Sequence, residues 1–380
     1  MKLLFGADLG PTKTNFERFA AGDAQSLVGA ELLQLMQQAD LRVFDLEVPL
    51  TDRDTPIQKH GPKLRAPENT VAGIRAMGVN LLTLANNHIL DQGQTGLEAT
   101  LRALKNAEIP SFGVGVYPDC AVPYFFEKDG KKVGIYACTE HEFSVATEET
   151  VGANPFEPLE SPDHVAQLKA QCDYVVVLYH GGKEHYRYPS PGLQKICRKF
   201  VEKGADLVLC QHSHCIGCEE KYRQGTIVYG QGNFLFDRSD NEFRNSSLLV
   251  QVEDDFSVTY IPLAKNGNGV KLAEGEEKQK ILDDFFHRSR QIQDDAFVKE
   301  TYETFAKSNG THYLLLLNKI NTKNPVNRIL NKLTGGGWYR RRMKGMKTEK
   351  RIALQNYLEC EAHRELLLQT LTGDQGRESK

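Results

Sequence analysis

Asn80-Leu81-Leu82-Thr83-Leu84-Ala85 runs without a break into Asn86-Asn87-His88-Ile89-Leu90-Asp91. The first part reads as a short buried strand, and the second puts two amides, an imidazole and a carboxylate at its end. Asn87 offers a carbonyl oxygen as a ligand, His88 can give or take a proton, and Asp91 can orient that imidazole. The carboxyl ends of strands are where α/β sheets present ligands and catalytic groups. The stretch therefore predicts both the fold class and the place of the site.

The same rule recurs outward in both directions. Asp8 follows the apolar run Leu3–Ala7, and Asp45 and Glu47 follow Leu41–Leu46. Residues i and i+2 of extended chain share a face, so both carboxylates can address one site. His180 ends Tyr174–Tyr179, the most apolar run of the chain, and Glu184, His185 and Tyr186 come soon after it. Gln211-His212-Ser213-His214 follows Leu207–Cys210; if strand geometry continues, both imidazoles point to one side. Gly232-Asn233 follows the run Thr226–Tyr229. Imidazoles, carboxylates and an amide oxygen together suit Zn²⁺, Mn²⁺ or Fe better than Ca²⁺.

Helix-like segments separate the early runs: Gln25–Gln38, Asn69–Met77, Thr95–Asn106, Asp163–Ala170 and Pro191–Lys203. This alternation predicts an α/β fold with parallel pairing, and the helix-free strands from Thr226 onward predict antiparallel pairing at the end. Lys265–Gly275 reads as a linker, after which only helical patterns follow: Glu276–Ala306, Leu314–Leu333 and Glu349–Leu371. We expect one domain over residues 1–264 and a linker with a helical extension over 265–380.

The 380 residues, 40% of them hydrophobic, suffice for a sizeable core, and a net charge of −3 gives no global pull toward nucleic acid. The run Leu3–Ala7 falls short of the roughly 7–15 apolar residues of a signal peptide, and no run approaches the ~18 of a membrane span. A cytoplasmic location is the expectation. Eight cysteines are too few for a disulfide scaffold. Cys215 and Cys218 form a lone C-x-x-C, read as ordinary thiols rather than a zinc or redox pair. Seven basic residues between Gly337 and Arg351 face one acid, Glu349. They suit a solvated helix, with an anionic membrane surface, polysaccharide or nucleic acid as the other readings.

In this order, the motifs resemble the metallophosphatase superfamily and, within it, CapA-type proteins of poly-γ-glutamate capsule biosynthesis. The residues that carry the likeness are Asp45-Leu46-Glu47-Val48-Pro49, Ala85-Asn86-Asn87-His88-Ile89-Leu90-Asp91-Gln92-Gly93 and Gly232-Asn233-Phe234-Leu235-Phe236-Asp237, within roughly residues 1–240. The resemblance implies an αββα sandwich and divalent metal ions (Mn, Fe or Zn) held by Asp8, Glu47, Asn87, His180, His212 and His214. It makes His88, positioned by Asp91, the proton donor or transition-state stabiliser. Two departures stand out. Gly10 replaces the histidine that usually follows the first aspartate by two residues, which sets a mononuclear site as the alternative to the two ions expected. Asp45 stands where CapA proteins usually have asparagine, which adds a carboxylate.

On the substrate side we expect Asp45, Lys59, Lys63, Glu184, His185, Tyr186 and Asn233, with the basic loop suited to an anion. The implied activity is metal-dependent hydrolysis, of a phosphoester in the first place. γ-Glutamyl amide hydrolysis or transfer, and non-catalytic binding of an anionic polymer, are the alternatives. The implied partner is an anionic, phosphoester or polyglutamate-like substrate; no nucleic acid partner is expected.

Overall fold

Side chains alternate along the strands and so sort the chain into three cores. On β1 (Leu3–Leu9), Leu3 and Phe5 point to one side and Leu4 to the other. On β9 (Tyr174–His180), Val176 and Leu178 join the core of Leu3 and Phe5, while Val175, Val177 and Tyr179 face away from it. A strand buried on both faces needs a layer on each. The shared core lies between two sheets, and each outer core is covered by helices. Leu32, Met36, Ile74, Leu97 and Leu104 cover the first sheet, and Leu168, Cys197, Phe200 and Val201 the second. This is the αββα sandwich that the resemblance implied, within the α/β class that the strand pattern predicts.

The structure, a computed structural model, describes residues 1–236, 241–310, 313, 315, 324–344, 346–360, 362–364 and 366–367. Asp237 of the last motif, and parts of the expected helices Leu314–Leu333 and Glu349–Leu371, lie outside the described residues.

The remaining strands are β2 (Leu41–Leu46), β3 (Leu81–Thr83), β4 (Ser111–Phe112), β5 (Val114–Gly115), β6 (Tyr124–Lys128), β7 (Lys131–Thr139), β8 (Gly152–Ala153), β10 (Leu207–Gln211), β11 (Glu219–Tyr222), β12 (Gly225–Val228), β13 (Asn233–Leu235), β14 (Ser246–Val252), β15 (Val258–Asn266) and β16 (Gly269–Leu272). The first sheet has the order β16-β15-β14-β1-β2-β3-β4, with β13 also paired to β1, and the second β11-β12-β10-β9-β7-β6. β5 and β8 make a separate two-stranded pair. β1 to β4 pair in parallel, as do β7, β9 and β10, which aligns their carboxyl ends. Register then places Asp8 opposite both Asp45 and Asn233, and His180 opposite Gln211 and Thr139.

Three expectations are corrected. The expected helix Gln25–Gln38 is two helices, Ala24–Val28 and Ala30–Gln37, separated by Gly29 at φ 74. The strand at Thr226, β12, pairs antiparallel with β11 but in parallel with β10, and β13 pairs in parallel with β1, so pairing is wholly antiparallel only between the strands from β14 onward. Residues 265–272 are no linker: β15 runs on to Asn266 and turns into β16, which buries Val270. The chain divides instead at Lys299, giving one unit from Met1 to Lys299 and a second from Glu300 to Lys380. The helix Gly275–Gln291 belongs to the first unit because it buries Phe285 in the inter-sheet core and Ser289 receives the Glu219 N–H at 2.8 Å.

In the second unit the described helices are Pro325–Leu333, Gly337–Lys344 and Thr348–Glu359, with the greater part of Asp295–Asn309. Leu315 and Met346 are buried together against Tyr339. Among the described residues, no helix is long and apolar enough to cross a membrane.

Candidate metal centre

Three carboxylates and three imidazoles meet at the carboxyl ends of the two sheets. Asp8, Asp45, Glu47, His180, His212 and His214 are each at most 5% exposed. Their ligand atoms form overlapping groups, Glu47–His180–His212, Asp8–Glu47–His214 and Asp8–Asp45–His180, each within 4.8 Å. Glu47 is common to the first two.

His180 and its surroundings show the electrostatic problem. Its Nδ1 lies 2.8 Å from Asp45 Oδ2 without the alignment of a hydrogen bond. Its Nε2 lies 3.1 Å from both Asn87 Oδ1 and His212 Nδ1, and 3.5 Å from Glu47 Oε1. The Asn87 amide is fixed because its Nδ2 donates to Glu142 Oε2 at 3.0 Å, which leaves Oδ1 as the end facing His180. A neutral imidazole carries one proton. Placed on Nε2, it leaves a lone pair against the Asp45 carboxylate; placed on Nδ1, it leaves several lone pairs converging at Nε2. A cation on the Nε2 side, a second proton or a metal ion, resolves both conflicts. Both oxygens of buried Glu47 also lack a hydrogen-bond partner, a costly state for a carboxylate. Burial, with the charges of Asp8 and Asp45, pushes the Glu47 carboxyl well above the ordinary glutamate value. Burial also raises Asp45, and with the neighbouring His180 and His214 it holds His212 well below the ordinary histidine value. Clustered imidazoles and carboxylates in need of a positive partner fit a divalent ion.

The local backbone shows how the imidazoles converge. β10 ends at Gln211, and His212 and His214 take φ of 79 and 52. The expected continuation of strand geometry is therefore replaced by a left-handed turn, which costs about 1–3 kcal/mol per residue. The turn brings the His212 N–H to within 3.3 Å of Asp8 Oδ2, and His214 Nδ1 to 3.2 Å from the same oxygen. His185 has φ 59, and its ring lies 6.2 Å from that of His214.

His88 and Asp91 form a second group. His88 Nδ1 sits 2.6 Å from Asp91 Oδ2, and Asp91 also accepts from Lys59 Nζ at 2.5 Å and from the Leu64 N–H at 2.6 Å. Burial lowers the His88 pKa, outweighing the pull of Asp91.

Several residues expected on the substrate side sit elsewhere. Asp45 is fully buried, accepts from Asn86 Nδ2 at 2.9 Å and flanks His180. The Lys59 side chain is 1% exposed and is taken up by Asp91 and the Asn87 carbonyl, the loop having folded back over the His88 turn. Asn233 Oδ1 faces His214 Nδ1 at 2.7 Å, so it orients an imidazole. Tyr186 is buried. Glu184 and His185 are half-buried near the centre, Glu184 close enough to raise Glu47 by its charge, and Lys63 is exposed.

Sequence reasoning missed Glu142, Arg244 and Phe236. Glu142 lies in an irregular segment after β7 with no strand-end signal of its own. Arg244 reaches Glu47 and His185 electrostatically and lies over the Phe236 ring at 5.9 Å. Phe236 stood inside a quoted motif, and its ring packs on Gly10: a Cβ there would meet it at 2.6 Å. The space of a side chain at position 10 is thus filled by a phenyl ring. Cys215 and Cys218 are buried free thiols, and among the described residues no ligand cluster includes a cysteine.

Residues 8–238 match the protein family described as bacterial capsule synthesis protein PGA_cap. The chain is 31% identical over 193 residues to the capsule biosynthesis protein CapA of Bacillus anthracis, covering 49% of this chain and 47% of that protein. It is 28% identical over 210 residues to the PGA biosynthesis protein CapA of Bacillus subtilis strain 168, covering 54% and 53%. The chain spans about half the length of the curated relatives it matches. Among solved structures, the NAD nucleotidase of Haemophilus influenzae aligns at a TM-score of 0.42 and 16% identity, over 75% of this chain and 55% of that one.

Proposed function

The chain belongs to the bacterial capsule synthesis protein family PGA_cap, and from that premise we propose that it is a metal-dependent hydrolase acting on a phosphoester. The observation that carries the reading is the pair of ligand groups sharing Glu47, set beside the His88–Asp91 pair.

In this reading Glu47, Asn87, His180 and His212 hold one ion, and Asp8, Glu47 and His214 contribute to a second position. Mn, Fe and Zn fit this donor set. Bound there, the metal would supply a hydroxide near neutral pH and neutralise charge on the substrate. Asp45 fixes the His180 ring, Asn233 the His214 ring, and Glu142 the Asn87 amide, the usual work of groups behind a ligand. His88, as the imidazolium with its Nδ1 proton on Asp91, would give the leaving oxygen its Nε2 proton and be left as the neutral imidazole. Lys59 holds Asp91 in place for that purpose through its ion pair with the carboxylate. Arg244, Glu184, His185 and Lys63 are the residues proposed to face the substrate.

A second reading is hydrolysis or transfer at a γ-glutamyl amide. It is favoured by the kinship with a PGA biosynthesis protein of Bacillus subtilis and a probable polyglutamine synthesis accessory protein of Mycobacterium tuberculosis. Polarising a carbonyl needs the same Lewis acid.

The test is elemental analysis after saturation with Mn²⁺, followed by assays on a nitrophenyl phosphodiester and a γ-glutamyl anilide. We expect about two ions per chain, fewer in His212→Ala, and hydrolysis of the phosphodiester. One ion would leave Gly10 as a missing ligand position and the hydrolase mononuclear. Absence of bound metal would overturn the hydrolase and favour a binder of anionic polymers. Activity on the anilide alone would select the second reading.

A further inference from the structure

The helix Pro325–Leu333 exposes the side chains a helix normally buries. Val326 is 62% exposed, Ile329 58% and Leu333 77%. Their spacing of three and four residues places them on one face. Arg328 and Lys332 on the same helix are exposed as well, one turn apart. Gly335 and Gly336, at φ 54 and 83, then turn the chain into the helix Gly337–Lys344. That helix carries Trp338 and exposed Arg340, Arg341 and Arg342, the last stacked over the Trp338 ring at 4.7 Å. In Thr348–Glu359, Ile352 is 62% exposed beside exposed Lys350 and Arg351.

Charge is equally uneven. Residues 324–351 hold nine Lys and Arg against one acid, a net +8, whereas the whole chain sums to −3 and the rest therefore to −11. A basic run alone fits any polyanion, but nucleic acid or a polycarboxylate gains nothing from Val, Ile and Leu. An apolar helix face flanked by Arg and Lys, with a tryptophan beside it, matches the interface of an anionic bilayer. There the apolar face enters the acyl boundary and the cations meet the headgroups.

We infer that Pro325–Leu333 and the basic helix after it form a peripheral docking surface for a membrane rich in anionic phospholipid. Val326, Ile329 and Leu333 insert, and Arg328, Lys332 and Arg340–Arg342 supply the attraction. The inference stands apart from the metal centre and holds whichever reaction that centre performs.

The test uses the full chain and co-sedimentation with two vesicle types, pure phosphatidylcholine and an equal mixture with phosphatidylglycerol. We expect at least about tenfold stronger binding to the mixed vesicles, weakening with added salt. The double variant Ile329→Asp, Leu333→Asp should lose binding to the mixed vesicles, with circular dichroism unchanged because both positions are exposed. A second variant, Arg340→Gln, Arg341→Gln, Arg342→Gln, should lose the preference for anionic lipid. Trp338 fluorescence should shift to the blue with mixed vesicles. Equal binding to both vesicle types, or none, overturns the inference. Unchanged binding by the Ile329/Leu333 variant also overturns it, and assigns the basic run to polyanions such as polyglutamate or nucleic acid.

Discussion

The ligand-dense end of the sandwich and the helix Pro325–Leu333 break the same rule in opposite directions. One buries carboxylates and imidazoles that prefer water; the other exposes Val326, Ile329 and Leu333, which do not. Scattered exposed apolar residues need no explanation, but an ordered face does, and so does a buried charge. The cost differs in kind. Unpaired Glu47 destabilises the fold that contains it and calls for a small cation, whereas an exposed leucine costs the fold little and calls for a large apolar surface. Electrostatics selects the first partner and area the second.

The sharpest way to break this comparison is at His88. If His88 serves the leaving group, His88→Ala costs about 10²- to 10⁴-fold in kcat/KM on an alkyl phosphodiester. The same change should cost much less on a nitrophenyl ester, whose leaving group needs no proton. Equal losses on the two substrates would make His88 structural.

Next in size is Glu142. Glu142→Ala frees the Asn87 amide to turn, and we expect about 10- to 100-fold weaker metal binding by competition with a chelator. Glu142→Gln, which can still accept from Asn87 Nδ2, should recover most of it.

A third prediction concerns pH. Glu47 has a folded pKa raised above its unfolded value of 4.5. Its contribution is therefore fully present below that value and is lost as pH rises from there through the folded pKa. His212, with a lowered folded pKa, acts oppositely, losing stability as pH falls below 6.5. Comparing Tm of the metal-free protein with that of Glu47→Gln isolates the Glu47 part. The difference should grow in favour of the variant as pH rises above 4.5, and Mn²⁺ should reverse its sign. A pH-independent difference would mean that Glu47 titrates normally and that the site does not call for a cation.

The smallest expected effect lies at the other pole. Ile329→Asp should change Tm by no more than a surface substitution does, within about 0.5 kcal/mol of stability. A large loss would show that the face is packed, and the comparison would fail on its exposed side.

Much of this architecture was legible because the physics that shapes it is local. Leu3–Ala7, Tyr174–Tyr179 and Leu207–Cys210 are apolar enough to be strands on their own, and the polar residues after them mark where parallel strands end. Asn87, His88, His180 and His212 could be picked out for that reason. The partner each side chain chooses was not legible. Lys59 looked like a surface cation because nothing in its loop announces that the chain folds back onto Asp91. Asp45 and Asn233 looked free because their companions, His180 and His214, come from other strands. Glu142 had no signal, since its role exists only through the Asn87 amide. The boundary at residue 264 failed for a different reason: β16 is too short, and too rich in glycine and lysine nearby, to read as a strand without its partner β15.

The phenyl ring of Phe236 across Gly10 ties the two positions together. A histidine at position 10 would bring its Cβ to 2.6 Å from that ring, so the ring has to move aside or position 236 has to carry a smaller residue. A smaller residue at position 236 would also uncover His214, whose ring lies 5.4 Å from Phe236. Chains with an imidazole at the first position should accordingly carry a smaller residue at the second, and exchanging both together should cost less than the two single changes suggest.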